Sequence, residues 1–236
     1  MKIKKYFIIA LLLIIILSGC VIIYAKKNFI NIDYKEFSKN SVYNYIGSVN
    51  SKNKTLELTY DKDLGLSEFF IDSNVKTIDD LKEISDYILV VENKEKPIFK
   101  GNGIINKCKI VKVIKGNYLK VNDIINIYDL VYSWNSVSSN YIGGNTPLKI
   151  NDVYIAFLKK TKNASINDSF VYNNVKYGRV SILNQRIILT DYEYGSMTIE
   201  EISDYDYVFS PDSTDEIDEY ITMVKDIRDF AKKNMQ

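Results

Sequence analysis

The sequence predicts a mainly β fold: an antiparallel β-barrel with a short N-terminal helix and a C-terminal amphipathic helix, behind an N-terminal membrane anchor. Three observations carry that prediction. Apolar and polar residues alternate over short runs through the middle of the chain, one of those runs changes its parity midway, and the final stretch switches to helical spacing.

The anchor comes first. From Tyr6 to Ala25 there is no charged side chain, and these 20 residues, at a helical rise of about 1.5 Å, cover a hydrocarbon core of about 30 Å. Lys2, Lys4 and Lys5 precede the run and Lys26 and Lys27 follow it, so the positive-inside bias places the N-terminus in the cytoplasm and the bulk of the chain outside. A second reading takes Met1 to Lys5 as a charged n-region, Tyr6 to Ile16 as an h-region and Leu17-Ser18-Gly19-Cys20 as a processing site. That tetrad resembles the lipobox of bacterial lipoproteins, in which the cysteine, here Cys20, is lipidated. The apolar Val21-Ile22-Ile23-Tyr24-Ala25 that follows favours a helix that stays embedded. Either reading makes residues 1–27 a membrane anchor and residues 28–236 an extracellular domain, with a barrel core over about 84–190 and a helix over about 214–233.

Within that domain, Lys54 to Tyr60 alternates Leu56, Leu58 and Tyr60 against Thr55, Glu57 and Thr59, the pattern of a half-buried strand, and Ser41 to Val49 is its expected partner. Thr77-Ile78-Asp79-Asp80 reads as an N-cap followed by acidic first-turn residues, which starts a brief helix with Leu81 and Ile84 on its apolar side. Tyr87 to Val91 is too apolar for a sheet edge and predicts a central strand. In the run from Ile104 to Lys115, Ile104, Cys108 and Ile110 lie on even positions, whereas Val111 and Val113 lie on odd ones. A β-bulge produces such a switch, and bulges curl long strands into small barrels. Lys115-Gly116-Asn117 then marks a turn; Ile124 to Leu130 and Val153 to Leu158 are further strands, and Tyr177 to Leu183 with Arg186 to Thr190 reads as a last hairpin. Ser213 and Glu216 have capping-box spacing, and Ile217, Tyr220, Ile221, Val224, Ile227 and Ala231 form a helical stripe that should dock on the barrel.

Three segments of this pattern carry a resemblance: Ile84-Ser85-Asp86-Tyr87-Ile88-Leu89-Val90, Ile110-Val111-Lys112-Val113-Ile114-Lys115-Gly116, and Pro147 to Leu158. Together they resemble secreted and lipoprotein domains of low-GC Gram-positive bacteria and are similar to the OB-like barrel of netrin-type and TIMP-like domains. The resemblance implies an OB-like barrel. The glycine usual in the last segment is replaced by Asn151 or Asp152, residues that accept turn conformations. The cysteines that staple eukaryotic netrin-type domains are missing, so the resemblance gives no ground for an inhibitor role.

Several function classes are excluded or weakened. The chain of 236 residues has no His, which removes Ser-His-Asp and Cys-His catalysis, HExxH proteases and the common His-bearing zinc sites. Cys108 has no ectodomain partner and sits among strand residues, which predicts a buried core thiol. Asp61-x-Asp63-x-Gly65 lacks the third oxygen ligand and closing Glu of a calcium loop and reads as a turn. No catalytic residue, metal site or cofactor is nominated; a hydrolase using a carboxylate pair remains an alternative, as does an accessory or sensory subunit of another membrane protein. Residues 94–120 hold eight Lys against one acid, while residues 191–219 hold eleven acids and no base. The chain is bipolar rather than basic, which argues against a nucleic-acid partner. The favoured reading is a membrane-tethered binding module for an envelope protein or surface ligand. Its candidate surface is the stretch from Tyr132 to Thr146, expected as a long loop, with Tyr132, Trp134 and Tyr141 in a setting of Ser, Asn and Gly.

Overall fold

The computed structural model describes residues 42–46, 75–100, 103–129, 131–134, 138–142, 146–161, 169–174, 176–183, 187–188, 198–208 and 214–236. The chain divides into two compact units, Met1–Asp33 and Tyr34–Gln236. All described residues belong to the second, so the anchor, Cys20, the Lys54–Tyr60 run, the Asp61–Gly65 turn and Ser213 lie outside them. Among the described residues no helix is long and apolar enough to cross a membrane.

A closed five-stranded barrel forms the core. Its strands are β2 (Tyr87–Asn93), β4 (Gly103–Lys115), β5 (Ile124–Tyr128), β8 (Val153–Lys160) and β9 (Ser169–Tyr172). They close in the circuit β2–β4–β5–β9–β8–β2, in which every pairing is antiparallel except β5 with β9. This is an OB-like barrel, mainly β, as the sequence predicts. The short β3 (Ile98–Lys100) pairs with the start of β4. Between the third and fourth barrel strands the chain makes β6 (Val131–Trp134) and β7 (Ser138–Ile142), an antiparallel pair that β1 (Val42–Ile46) joins in parallel.

The central strands are apolar throughout because both their faces are buried. On β2, Leu89 and Val91 point into the barrel with Cys108, Ile110, Ile125, Ile127, Phe170 and Tyr172, while Ile88 faces outward. On β8, Tyr154, Ala156 and Leu158 point inward; Ile155 and Phe157 meet the helices outside. The bulge falls where the parity switches. Val91 lies opposite Ile110 and Val90 opposite Lys112, so Val111 is the extra residue, and beyond it Val113 rather than an even position packs against the barrel interior.

Helix α1 (Ile78–Ile84) starts at the Thr77 N-cap that the sequence implies, here part of a full capping box: the Thr77 hydroxyl accepts from Asp80 N at 3.2 Å and the Asp80 carboxylate accepts from Thr77 N at 2.8 Å. The Lys76 N–H, donating at 3.0 Å, and then the hydroxyl and N–H of Thr77 hold the Asp80 carboxyl below its usual range. The short helix α2 (Ile199–Ile202) leads to β12 (Tyr207–Val208), and α3 (Thr214–Met235) covers the outer face with Tyr220, Met223, Val224, Ile227 and Ala231. Ile221, expected in that stripe, is 45% exposed, whereas Met223 and Arg228 are buried. The docked face therefore lies one step round the helix.

Two further expectations are corrected. Among the described residues of 177–190 no hairpin pairing is seen: β10 (Arg179–Ser181) continues along β8, and β11 (Ile187–Ile188) pairs in parallel with β12. Burial of Tyr207 among Tyr220 and its neighbours draws β12 to the outer face, and β11 follows it there. The stretch 132–146 is not a structureless loop, because β6 and β7 occupy much of it. Its Val, Tyr, Trp and Ile suit a strand, and β1 supplies an edge to pair with.

β9 and β10 are one run along β8, interrupted by a loop. Asn173 N donates to Phe157 O at 3.1 Å, Phe157 N donates to Gly178 O at 2.8 Å, and the residues between are looped out. Asn174 Oδ1 accepts from Lys176 N and Tyr177 N at 2.9 and 2.8 Å, tying the loop into an Asx-turn. Tyr177, at its end, stacks on Tyr220 of α3 with ring centroids 5.8 Å apart. Gly178 is required there, since a Cβ would stand 2.2 Å from Asn174 O.

Candidate functional site

The antiparallel arrangement sets two ends on the barrel. One holds the start of β2, the end of β4, the β4–β5 hairpin tip and the end of β8; the other holds the end of β2, the start of β8 and Asp129 after β5.

The second end carries a buried polar network. Asp129 and Arg179 pair at 3.3 Å with side chains 2% and 5% exposed. Arg179 also lies over the Tyr172 ring, 5.5 Å from its centroid. β5 pairs with β9 only at Asn126 and Ile127, so the ion pair spans the seam between the end of β5 and β10. Beside it, Arg228 of α3 meets Asp206 at 2.7 Å and donates from Nε to Ser181 O at 2.9 Å, while the Ser181 hydroxyl donates to Asp152 at 3.0 Å. Burial raises the Asp206 carboxyl to about 7, with Arg228 opposing the shift and Asp152 adding to it. Burial likewise pushes the Cys108 thiol far above its usual value, so Cys108 is the inert core residue that its setting predicts. Each of these carboxylates is held by protein groups. The network closes the barrel and clamps α3 onto it.

The first end is built differently. Gly116 (φ +134°), Tyr118 (φ +62°) and Asn122 (φ +75°) place three left-handed residues in the β4–β5 tip. Glycine suits such a φ and Asn tolerates it, but for tyrosine it is costly. A Cβ on Gly116 would stand 2.5 Å from Tyr87 Cδ1, so the turn wraps closely round that ring. The Asp123 carboxylate accepts from Lys120 N at 2.8 Å and fixes the second half of the tip. The result is that Tyr118, Val121 and Ile124 stand 56%, 49% and 50% exposed, while Leu119 between them packs inward.

Lysines surround this apolar tip. Lys115, Lys120, Lys159 and Lys160 are exposed, and Lys160 Nζ lies 4.8 Å from the Tyr118 ring centroid. The Tyr87 hydroxyl donates to that of Tyr118 at 3.1 Å, and this bond, with burial, pushes the Tyr87 phenol up to about 12. Tyr87 also meets Phe170 edge-on at 5.1 Å, which anchors the pair in the barrel mouth. Beside them an open polar cleft of about 440 Å³ is lined by Glu83, Asp86, Tyr87, Lys115 and Asn117.

The sequence-nominated aromatics come together in another place. Tyr132 and Trp134 lie on β6 and Tyr141 on β7, where Val131 is opposite Tyr141 and Trp134 opposite Ser139; their side chains lie outside the described residues. Tyr118, Val121, Ile124 and Lys160 were missed by sequence reasoning. A signal was present: a turn between two strands normally holds polar residues, yet this one carries Tyr118, Leu119 and Val121. Compared with known proteins, the chain matches no protein-family model and no curated protein.

Proposed function

We propose that the protein is a membrane-tethered binding module on the extracellular side of a bacterial cell envelope, and that its working face is the barrel end bearing the β4–β5 tip. The observation that carries this is Tyr118, a large aromatic side chain presented to solvent from a left-handed backbone. Backbone strain of this kind costs about 1–3 kcal/mol and persists at sites of function. The tethering is read from the uncharged Tyr6–Ala25 run as a retained helix or, as the alternative, from Cys20 in a tetrad that resembles a lipobox. A carboxylate hydrolase is disfavoured because the buried Asp129, Asp152 and Asp206 are engaged by Arg179, Ser181 and Arg228. The β6–β7 pair with Tyr132, Trp134 and Tyr141 is a second candidate contact surface, inserted between two barrel strands.

The test places a photoreactive side chain at Tyr118, at Trp134 or at the exposed Lys225 of α3 in intact cells. Illumination should yield adducts at Tyr118 beyond those at Lys225. A binding module is the wrong reading if neither Tyr118 nor Trp134 exceeds Lys225.

A further inference from the structure

The occupant of the working face is identified by its chemistry, and the inference rests on the binding reading above. We infer that the β4–β5 tip seats on an anionic lipid bilayer, with Tyr118, Val121 and Ile124 entering the interface and Lys115, Lys120, Lys159 and Lys160 meeting headgroup phosphates.

Three observations support it. Of the six large hydrophobic side chains that are exposed among the described residues, three lie on this one tip. Their character is mixed, a tyrosine beside two β-branched aliphatics within reach of lysines, which suits the boundary between headgroups and acyl chains better than an apolar protein groove. The third observation is charge placement along the barrel. β8 runs from Val153 to Lys160, a length of about 25 Å at the strand rise. Asp204 and Asp206 dock at its start, Asp204 paired with Lys149 and the carbonyl oxygen of Tyr205 accepting from the Thr146 hydroxyl; the lysines stand at its far end. Of the lysine run at 94–120, Lys94 and Lys107 are paired with Glu92 and Glu95, whereas Lys115 and Lys120 stand exposed at the tip. An anionic surface attracts the exposed lysines of this end, whereas the acids at the other are paired within the chain, Asp204 with Lys149 and Asp206 with Arg228, which orients the barrel with the tip down. Each lysine held near such a surface strengthens the contact by roughly fivefold.

Glu83 and Asp86 in the adjoining cleft are the local counter-charges, and Asp123 is bonded to the tip backbone. Against these three carboxylates stand four exposed lysines around the three apolar side chains, of which Lys115 donates to Lys82 O at 2.9 Å.

Hydrogen exchange of the full chain in nanodiscs tests the inference, comparing phosphatidylcholine alone with phosphatidylcholine containing phosphatidylglycerol. Residues 116–124 should exchange at least about threefold more slowly in the anionic discs. That protection should disappear at high salt and in the Lys120→Glu/Lys160→Glu variant, while residues 199–208 exchange alike in both discs. If the double variant melts early, the salt series on the parent chain decides. Equal exchange of 116–124 in the two discs, or protection at 199–208 instead, overturns it. Adducts from Tyr118 to protein alone, with no protection in discs, would keep the binding reading and remove the lipid one.

Discussion

Arg179 and Asp129 meet where the backbone pairing of the barrel ends, so their interaction is a seam rather than a surface ion pair. Removing one partner from a buried pair strands a charge, at a cost of about 3–5 kcal/mol, whereas replacing both by apolar residues of similar volume is often neutral. Arg179→Met should therefore lower stability by that amount in denaturant melts, and Arg179→Met/Asp129→Leu should recover most of it. Asp206 makes a pH prediction. Its folded value is raised from the usual 3.8 to about 7, so the folded state holds a proton that the unfolded state has released. The stabilisation is fully present below about pH 4 and is lost as pH rises through about 7. Between those limits the melting temperature of the parent, measured relative to Asp206→Asn, should fall with rising pH; a rising difference would refute the assignment. At this scale the sequence was partly legible. Asn151, one of the two residues read as accepting a turn, takes a left-handed conformation (φ +66°), and Cys108 is core. Arg179 was not legible, because a charge inside a strand pattern normally points to solvent, and only the closed topology brings Asp129 within reach.

Elements were legible where one local rule governed them. The Thr77 cap, the buried β2 and the bulge at Val111 follow from residue type and spacing, and the folded chain keeps each. Local rules gave out where a distant partner decided. β11 pairs with a strand near residue 207 rather than with its neighbour, and β6 and β7 acquire an edge from β1 far upstream. β9 was not read at all, since Ser169–Tyr172 is too short to show a period. The α3 stripe was right in kind and displaced by one step, because Arg228 is drawn inward by Asp206 and Ser181. Deleting Thr214–Gln236 tests that docking. It removes Tyr220, Met223, Val224 and Ile227 and uncovers the outer faces of Ile155 and Phe157. At roughly 1.5–3 kcal/mol for each large side chain, the gross loss is comparable with a domain's net stability of about 5–15 kcal/mol. The truncated chain should lose its cooperative melt, whereas a truncated chain melting at the parent temperature would mean that α3 is dispensable to the barrel.

For the whole molecule, closure of the barrel through β9 gives its two ends different charge settings. Exposed lysines stand at one mouth, and at the other Asp204 and Asp206 are paired with Lys149 and Arg228. The sequence showed the two charge runs but not their placement, which depends on β8 carrying the chain from one end to the other. The claim at the centre of this account is that Tyr118 serves a contact outside the molecule rather than the fold. Among the described residues it makes one exposed hydrogen bond and one edge-on ring contact, both with Tyr87, and one cation–π contact, with Lys160, each worth about 1 kcal/mol. Its left-handed backbone costs about 1–3 kcal/mol, comparable with those contacts together. Tyr118→Gly relieves that backbone while deleting the side chain, so the two effects nearly cancel. The most direct measurement is the melting curve of the full-length Tyr118→Gly chain beside its parent. Melting temperatures should lie within about 4 °C of each other; a fall of 10 °C or more, on the order of 3–5 kcal/mol, would show that the tyrosine is there to hold the barrel mouth together and would contradict the claim.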